Sequence, residues 1–198
     1  PASFCREIRY SAQLHDVGKM SVDGMVLRKK GPLDDEERAE MNQHPYFGYR
    51  ILEASDRLQM AAAIALNHHE RWDGTGYPGH IDVHSGEPLP AHKGPDGKAA
   101  GKKGKEIPLF GRIVSLADVY DALCSNRSYK EPWSEERIFD YIDKETGSRF
   151  DPEIVEIFFS RLDVIRAIQA RYSDASAEDD AAPTRPPNAL KWSDAAPH

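Results

Sequence analysis

The chain has 198 residues, 39% of them hydrophobic, and a formal net charge of -7. That length suits one domain with a single core, and the acidic balance argues against nonspecific binding to a nucleic-acid polymer, which needs a basic face. No apolar run is long enough to span a bilayer, no signal-peptide pattern precedes the first predicted helix, and Cys5 and Cys124 cannot build a disulfide framework, so the expected setting is a reducing cytoplasm with no membrane insertion of this segment.

The predicted elements are helices, with no sustained period-two alternation. Phe4, Ile8, Ala12 and Leu14 fall at roughly helical spacing and deliver His15-Asp16 to the end of the first helix, after which Gly18 is expected to loosen the backbone. Asp34 with Glu37 three residues on is a capping-box pattern that starts a helix toward Met41 and His44. Pro45 disfavours helical geometry at His44 and suits the first position of a new helix through Ile51. Residues 58–66 are apolar on nearly every side and predict a central helix ending in Asn67-His68-His69-Glu70.

Residues 79–106 are rich in glycine, proline and lysine and read as a long, flexible surface excursion, with His84 and His92 exposed. Ile113, Leu116, Ala117, Tyr120 and Leu123 define a helix carrying Asp118 and Asp121 one turn apart. Ser134 caps the next helix, and Asp151-Pro152 opens a last one through Ile165. From residue 173 on, Ala, Asp, Ser and Pro dominate, which predicts a disordered tail over 173–198.

The chemistry-bearing pattern is an adjacent histidine and aspartate, a lone histidine, a histidine pair and a helical aspartate: His15-Asp16, His44, His68-His69 and Asp118. An imidazole holds one cation, while the two oxygens of the next carboxylate can join that cation to a second. Two such ions activate water and neutralise phosphoryl oxygens, so the pattern points to phosphodiester hydrolysis without a protein nucleophile. Imidazoles and carboxylates without thiolate suit iron, manganese, zinc or magnesium.

The strings Leu14-His15-Asp16-Val17-Gly18-Lys19, His68-His69-Glu70-Arg71-Trp72-Asp73-Gly74-Thr75-Gly76-Tyr77-Pro78 and Ala117-Asp118-Val119-Tyr120-Asp121-Ala122-Leu123, with His44 between, strongly resemble the HD-GYP domains. These are an all-α branch of the HD phosphohydrolases that degrade cyclic di-GMP. The resemblance implies an HD-domain helical bundle over residues 1–172, carrying the lysine-rich insertion at 79–106. It implies two divalent ions, with iron or manganese favoured and zinc, nickel or magnesium as alternatives.

By position, His15, Asp16 and Asp118 resemble the ligands of the first ion. Asp16, His44, His68 and His69 resemble those of the second, with Asp16 bridging. Lys19 resembles the lysine that reaches phosphate beside Asp16 at the reacting centre, and Arg127 and Lys130 match a segment that contacts the substrate. Gly76-Tyr77-Pro78 reads as a shaped loop with a structural or partner-docking role, GGDEF-domain proteins being the candidate partners. Glu70 could orient a ligating histidine.

The family brings a further histidine to the first ion from a helix upstream of the HD pair, and no histidine precedes His15. The chain is therefore expected to lack its N-terminal helices, with the first site one ligand short. Two functions follow: hydrolysis of cyclic di-GMP to linear pGpG or onward to GMP in bacterial second-messenger signalling, or an impaired domain that binds cyclic di-GMP or a partner without turnover.

Overall fold

The computed structural model describes residues 2–124 and 133–179, with side chains to residue 171. Its elements are α1 (Ala2–Ala12), α2 (Gly24–Leu27), α3 (Asp35–Met41), α4 (His44–Leu52), α5 (Gln59–Asn67), α6 (Leu109–Cys124), α7 (Glu135–Lys144), α8 (Pro152–Phe159) and α9 (Leu162–Asp179), joined by turns that include short 3₁₀ segments. Among the described residues there are isolated β-bridges but no strand, so the all-α expectation holds. None of their helices is long and apolar enough to cross a membrane.

The chain divides into two units, residues 1–157 and 158–198. In the first, α5 is central, packing against α1, α4 and α6. Its uniform apolarity explains this: Ala61, Ala62, Ile64 and Ala65 are all fully buried. Small residues on α5 let Leu52, Leu14, Val17, Tyr49 and Leu58 close around it. Beyond it, Ile107, Leu116, Ile138, Ile142 and Phe150 are also buried.

The second unit holds α9, which continues to Asp179, past the composition change at residue 173. The expected single last helix is instead interrupted at Ser160–Arg161, where the Arg161 amide makes a three-residue turn to the Phe158 carbonyl. Arg127, Lys130 and the tail from 180 onward lie outside the described residues.

Local signals place the helix starts. Asp34 and Glu37 form the reciprocal capping box, Pro45 sits in the first turn of α4, and the Ser134 side chain accepts from the Arg137 amide.

The excursion at 79–106 differs most from expectation. It is folded onto itself and onto the site-bearing helices. The His80 amide donates to the Ala100 carbonyl, Leu89 to His80 and Ala100 to His92. The rings of His80 and His92 stack at 3.8 Å, so His92 is partly covered while His84 is exposed. Arg50 and Tyr46 of α4 both donate to the His84 carbonyl. Gly79 has a φ of +80°, and a Cβ there would lie 2.4 Å from the Ala100 oxygen, so glycine is required where the segment doubles back.

The anchor of this segment is Glu70, 2% exposed. Its carboxylate accepts from the Gly79 amide at 2.7 Å and the Lys102 amide at 3.0 Å. Lys102 in turn donates to the Asn67 side chain at 2.7 Å. Glu70 therefore secures the loop rather than orienting a histidine. Its replacement by alanine leaves the buried Gly79 donor unpaired, at about 1–3 kcal/mol. The expected result is faster amide exchange at Gly79 and Lys102 with α5 still protected; unchanged exchange at both would contradict this role.

Candidate metal centre

Four elements bring the predicted ligands together. His15 and Asp16 follow α1, His44 opens α4, His68 and His69 close α5, and Asp118 lies midway along α6. Donor atoms of Asp16, His44, His68 and His69 all lie within 4.8 Å of one another, forming a group able to hold a metal ion. His15 Nε2 lies 3.3 Å from Asp16 Oδ2 and 3.6 Å from Asp118 Oδ1. All six predicted metal ligands thus converge, with the Asp16 carboxylate between the two groups.

The backbone sets how the imidazoles face. Nδ1 of His15 is 2.8 Å from the Ala12 carbonyl, Nδ1 of His44 is 2.7 Å from that of Met41, and Nδ1 of His68 is 2.9 Å from that of Ala65. A carbonyl can only accept, so each Nδ1 donates its hydrogen and Nε2 is turned inward. These bonds exist because each histidine sits at a helix end or just beyond one, where carbonyls lack intrahelical partners.

Asp16 Oδ1 is buried and accepts no hydrogen bond. It lies 3.4 Å from His44 Nε2 and 3.7 Å from His68 Nε2. A buried carboxylate oxygen facing imidazole nitrogens is the donor set a divalent cation satisfies, so the residues fit the metal that the sequence implies.

Electrostatics follow the same division. Burial pushes His44 down to about 4 and His69 down to about 2, keeping both neutral as lone-pair donors at neutral pH. His15, accepted by Asp118 first and Asp16 second, is pushed up to about 10; its proton occupies the position where a cation would neutralise the same carboxylates. Burial alone would raise Asp16, but His15, His68 and Lys19 together hold it well below the usual carboxylate range.

Lys19 reaches back to Asp16 Oδ2 at 2.5 Å and is 38% exposed, so its ammonium stands at the rim of the site. The turn carrying it, Val17–Ser21, packs directly on α4. Gly18 is there for that close approach rather than for looseness: a Cβ would sit 2.0 Å from the His44 oxygen and 2.4 Å from the Gly48 nitrogen. Gly18→Ala is expected to cost about 1–3 kcal/mol and to weaken metal uptake, since His15-Asp16 must move away from His44. Thermal melting together with a metal titration checks this; a variant with wild-type stability and affinity would contradict it.

Tyr77 stacks on His69 with centroids 4.9 Å apart, and burial pushes its hydroxyl up to about 12. The loop before it is closed by the Asp73 carboxylate, which accepts from the Thr75 amide and hydroxyl. The Trp72 and Asp73 amides are stitched to the carbonyls of Arg149 and Ser148. Asp121, one turn beyond Asp118, is exposed and takes no part.

A cavity of about 340 Å³ opens on the site, lined by Asp16, Lys19, His69 and Asp118 together with Trp133, Tyr141 and Arg149. The sequence gives no sign of Trp133, Tyr141 and Arg149 in this lining: no spacing rule links residues 133–149 to His15, although the loop through Trp72 and Asp73 is hydrogen-bonded to Arg149 and Ser148.

The HD domain family model matches residues 1–90 and 92–154. A 3′3′-cGAMP-specific phosphodiesterase of Vibrio cholerae is 38% identical over 169 residues, covering 84% of this chain and 28% of the relative. A cyclic di-GMP phosphodiesterase of Thermotoga maritima is 39% identical over 173 residues, covering 86% of this chain and 41% of the relative. A cyclic di-GMP phosphodiesterase of Vibrio cholerae is 40% identical over 173 residues, covering 84% and 31%. The chain therefore spans less than half the length of these relatives.

A solved structure of a cyclic GMP-AMP-specific phosphodiesterase from V. cholerae superposes with a TM-score of 0.52 at 18% identity, over 79% of this chain and 38% of that one, which supports the fold alone. With the HD pair, the two-histidine helix end and Gly76-Tyr77-Pro78 in one site, the chain belongs to the HD domain family, in its HD-GYP branch.

Proposed function

We propose that this chain is the hydrolytic domain of a cytoplasmic, metal-dependent phosphodiesterase that opens cyclic di-GMP to linear pGpG in bacterial second-messenger signalling. The observation that carries the reading is the single carboxylate of Asp16, with Oδ1 toward His44 and His68 and Oδ2 toward His15 and Lys19. In this reading His15, Asp16 and Asp118 hold one ion and Asp16, His44, His68 and His69 the other. When bound there, iron or manganese would supply Lewis-acid polarisation of the phosphodiester and a lowered pKa for water.

The chain's own residues do the rest. The Nδ1–H bonds to Ala12, Met41 and Ala65 fix the ligating nitrogens before any substrate arrives. Lys19 keeps Asp16 ionised and aimed, and its half-exposed ammonium is placed to meet a phosphate oxygen as negative charge builds. Arg127 and Lys130 complete the anion-binding set in this proposal. Tyr77, stacked inward on His69, shields one side of the site, which favours a packing role for the loop over docking of GGDEF-domain proteins.

Relatives named for cyclic di-GMP and for 3′3′-cGAMP both match, so the test offers both dinucleotides to protein loaded with reduced iron or with manganese. Linear product from cyclic di-GMP, lost in His15→Ala, is the expected outcome. Opening of 3′3′-cGAMP alone would change the substrate. Tight binding of cyclic di-GMP with no product would instead identify a binding module.

A further inference from the structure

We infer that Arg149 is a substrate-binding residue, the guanidinium that grips the dinucleotide's phosphate in the cavity that Lys19 also lines. This rests on the phosphodiesterase reading and adds a residue to it. Arg149 lines the same cavity as Asp16, Lys19, His69 and Asp118. Its backbone is held on both sides, the amide donating to the Glu145 carbonyl at 2.9 Å and the carbonyl accepting from the Trp72 amide at 3.2 Å. The side chain therefore lines that cavity from a backbone point fixed on both sides.

What marks it out is this place in the cavity together with a buried Nε that has no hydrogen-bond partner among the described residues. Arg71 pairs with Glu145 and Asp73, Arg112 with Asp151, and Arg50 with Glu53. Among the described residues no carboxylate lies within ion-pair distance of Arg149, its Nε is buried with no hydrogen-bond partner, and its one side-chain hydrogen bond is Nη1 to the Tyr141 hydroxyl at 3.5 Å. A half-buried guanidinium with unused donors is unfavourable until an anion enters. Lys19, the other basic residue lining the cavity among the described residues, already pairs with Asp16. A phosphodiester seated in this cavity presents non-bridging oxygens to its lining, and a planar fork of N–H donors matches two of them.

The test compares metal-replete wild type, Arg149→Ala and Arg149→Lys for binding of linear pGpG, which needs no turnover, and for KM and kcat on cyclic di-GMP. Arg149→Ala should weaken pGpG binding and raise KM by about 10–100-fold, the scale of a lost charge-assisted pair. Its kcat should stay within about threefold of wild type, because the interaction is made before and during the reaction alike. Arg149→Lys keeps the charge without the fork and should recover part of the loss, and metal content should match wild type in both variants.

Binding and KM within about twofold of wild type in both variants would overturn the assignment while leaving the phosphodiesterase reading intact. If wild type binds pGpG but opens no cyclic dinucleotide, the enzyme reading falls and the pGpG comparison still decides Arg149. If wild type opens cyclic di-GMP without retaining pGpG, the KM comparison decides Arg149; if it neither binds nor opens either dinucleotide, both readings fall.

Discussion

Replacing Asp16 by asparagine is expected to strip the protein of bound metal and to lower kcat/KM by more than the roughly 100-fold that losing a supporting hydrogen bond costs in such sites. The reason is positional. One Asp16 oxygen is buried among imidazoles without a hydrogen bond, while the other meets His15 and Lys19. Asparagine keeps the volume but removes the charge and turns one oxygen into a donor that faces cations. Elemental analysis beside the hydrolysis assay reads both losses. His84→Ala, at an exposed position in the excursion, should leave metal content and rate unchanged. An Asp16→Asn protein with full metal content and full activity would remove the carboxylate from the centre of the account.

The second large effect concerns stability. Arg112 on α6 and Asp151 at the start of α8 form a buried ion pair, with side chains 12% and 1% exposed. Asp151 also accepts from the Glu153 amide, so one carboxylate both caps α8 and joins it to α6. Arg112→Met leaves that carboxylate buried and uncompensated, at a cost on the order of 3–5 kcal/mol. Urea unfolding of metal-free protein measures it directly. Adding Asp151→Asn to the same variant should restore part of the loss, because the orphaned charge is then gone. A single-variant loss under about 1 kcal/mol would show that water reaches Asp151 and that the pair is an ordinary surface one.

These two predictions also mark what the sequence makes legible. The Asp34–Glu37 box, the all-round apolarity of α5 and the Ser134 cap are local signals that the structure places where they are read, while α4 starts one residue earlier than expected, with His44 helical and Pro45 at its second position. The proposed metal ligands are legible for another reason. Their order along the chain matches a family pattern, whereas spacing alone would leave each histidine an ordinary helix-end residue.

What stays hidden depends on partners distant in sequence. Gly18 is needed because the turn after His15-Asp16 touches α4, a contact no local rule anticipates. The fold of 79–106 depends on Glu70 and Asn67 receiving Lys102, so a composition typical of a flexible loop gives way to an anchored one. Arg149 and Tyr141 share a cavity with Asp16 and Asp118 although the hydrogen bonds tying the α7–α8 connection to the loop through Trp72 join residues more than seventy positions apart.

The central claim is that Asp16 lies between two ions. Anomalous diffraction from crystals of manganese- or iron-replete protein tests it most directly. The account predicts two peaks, one within about 2.0–2.2 Å of Asp16 and the inward nitrogens of His44, His68 and His69, the other beside His15 and Asp118. Metal-replete crystals with no anomalous density among these six side chains would contradict it.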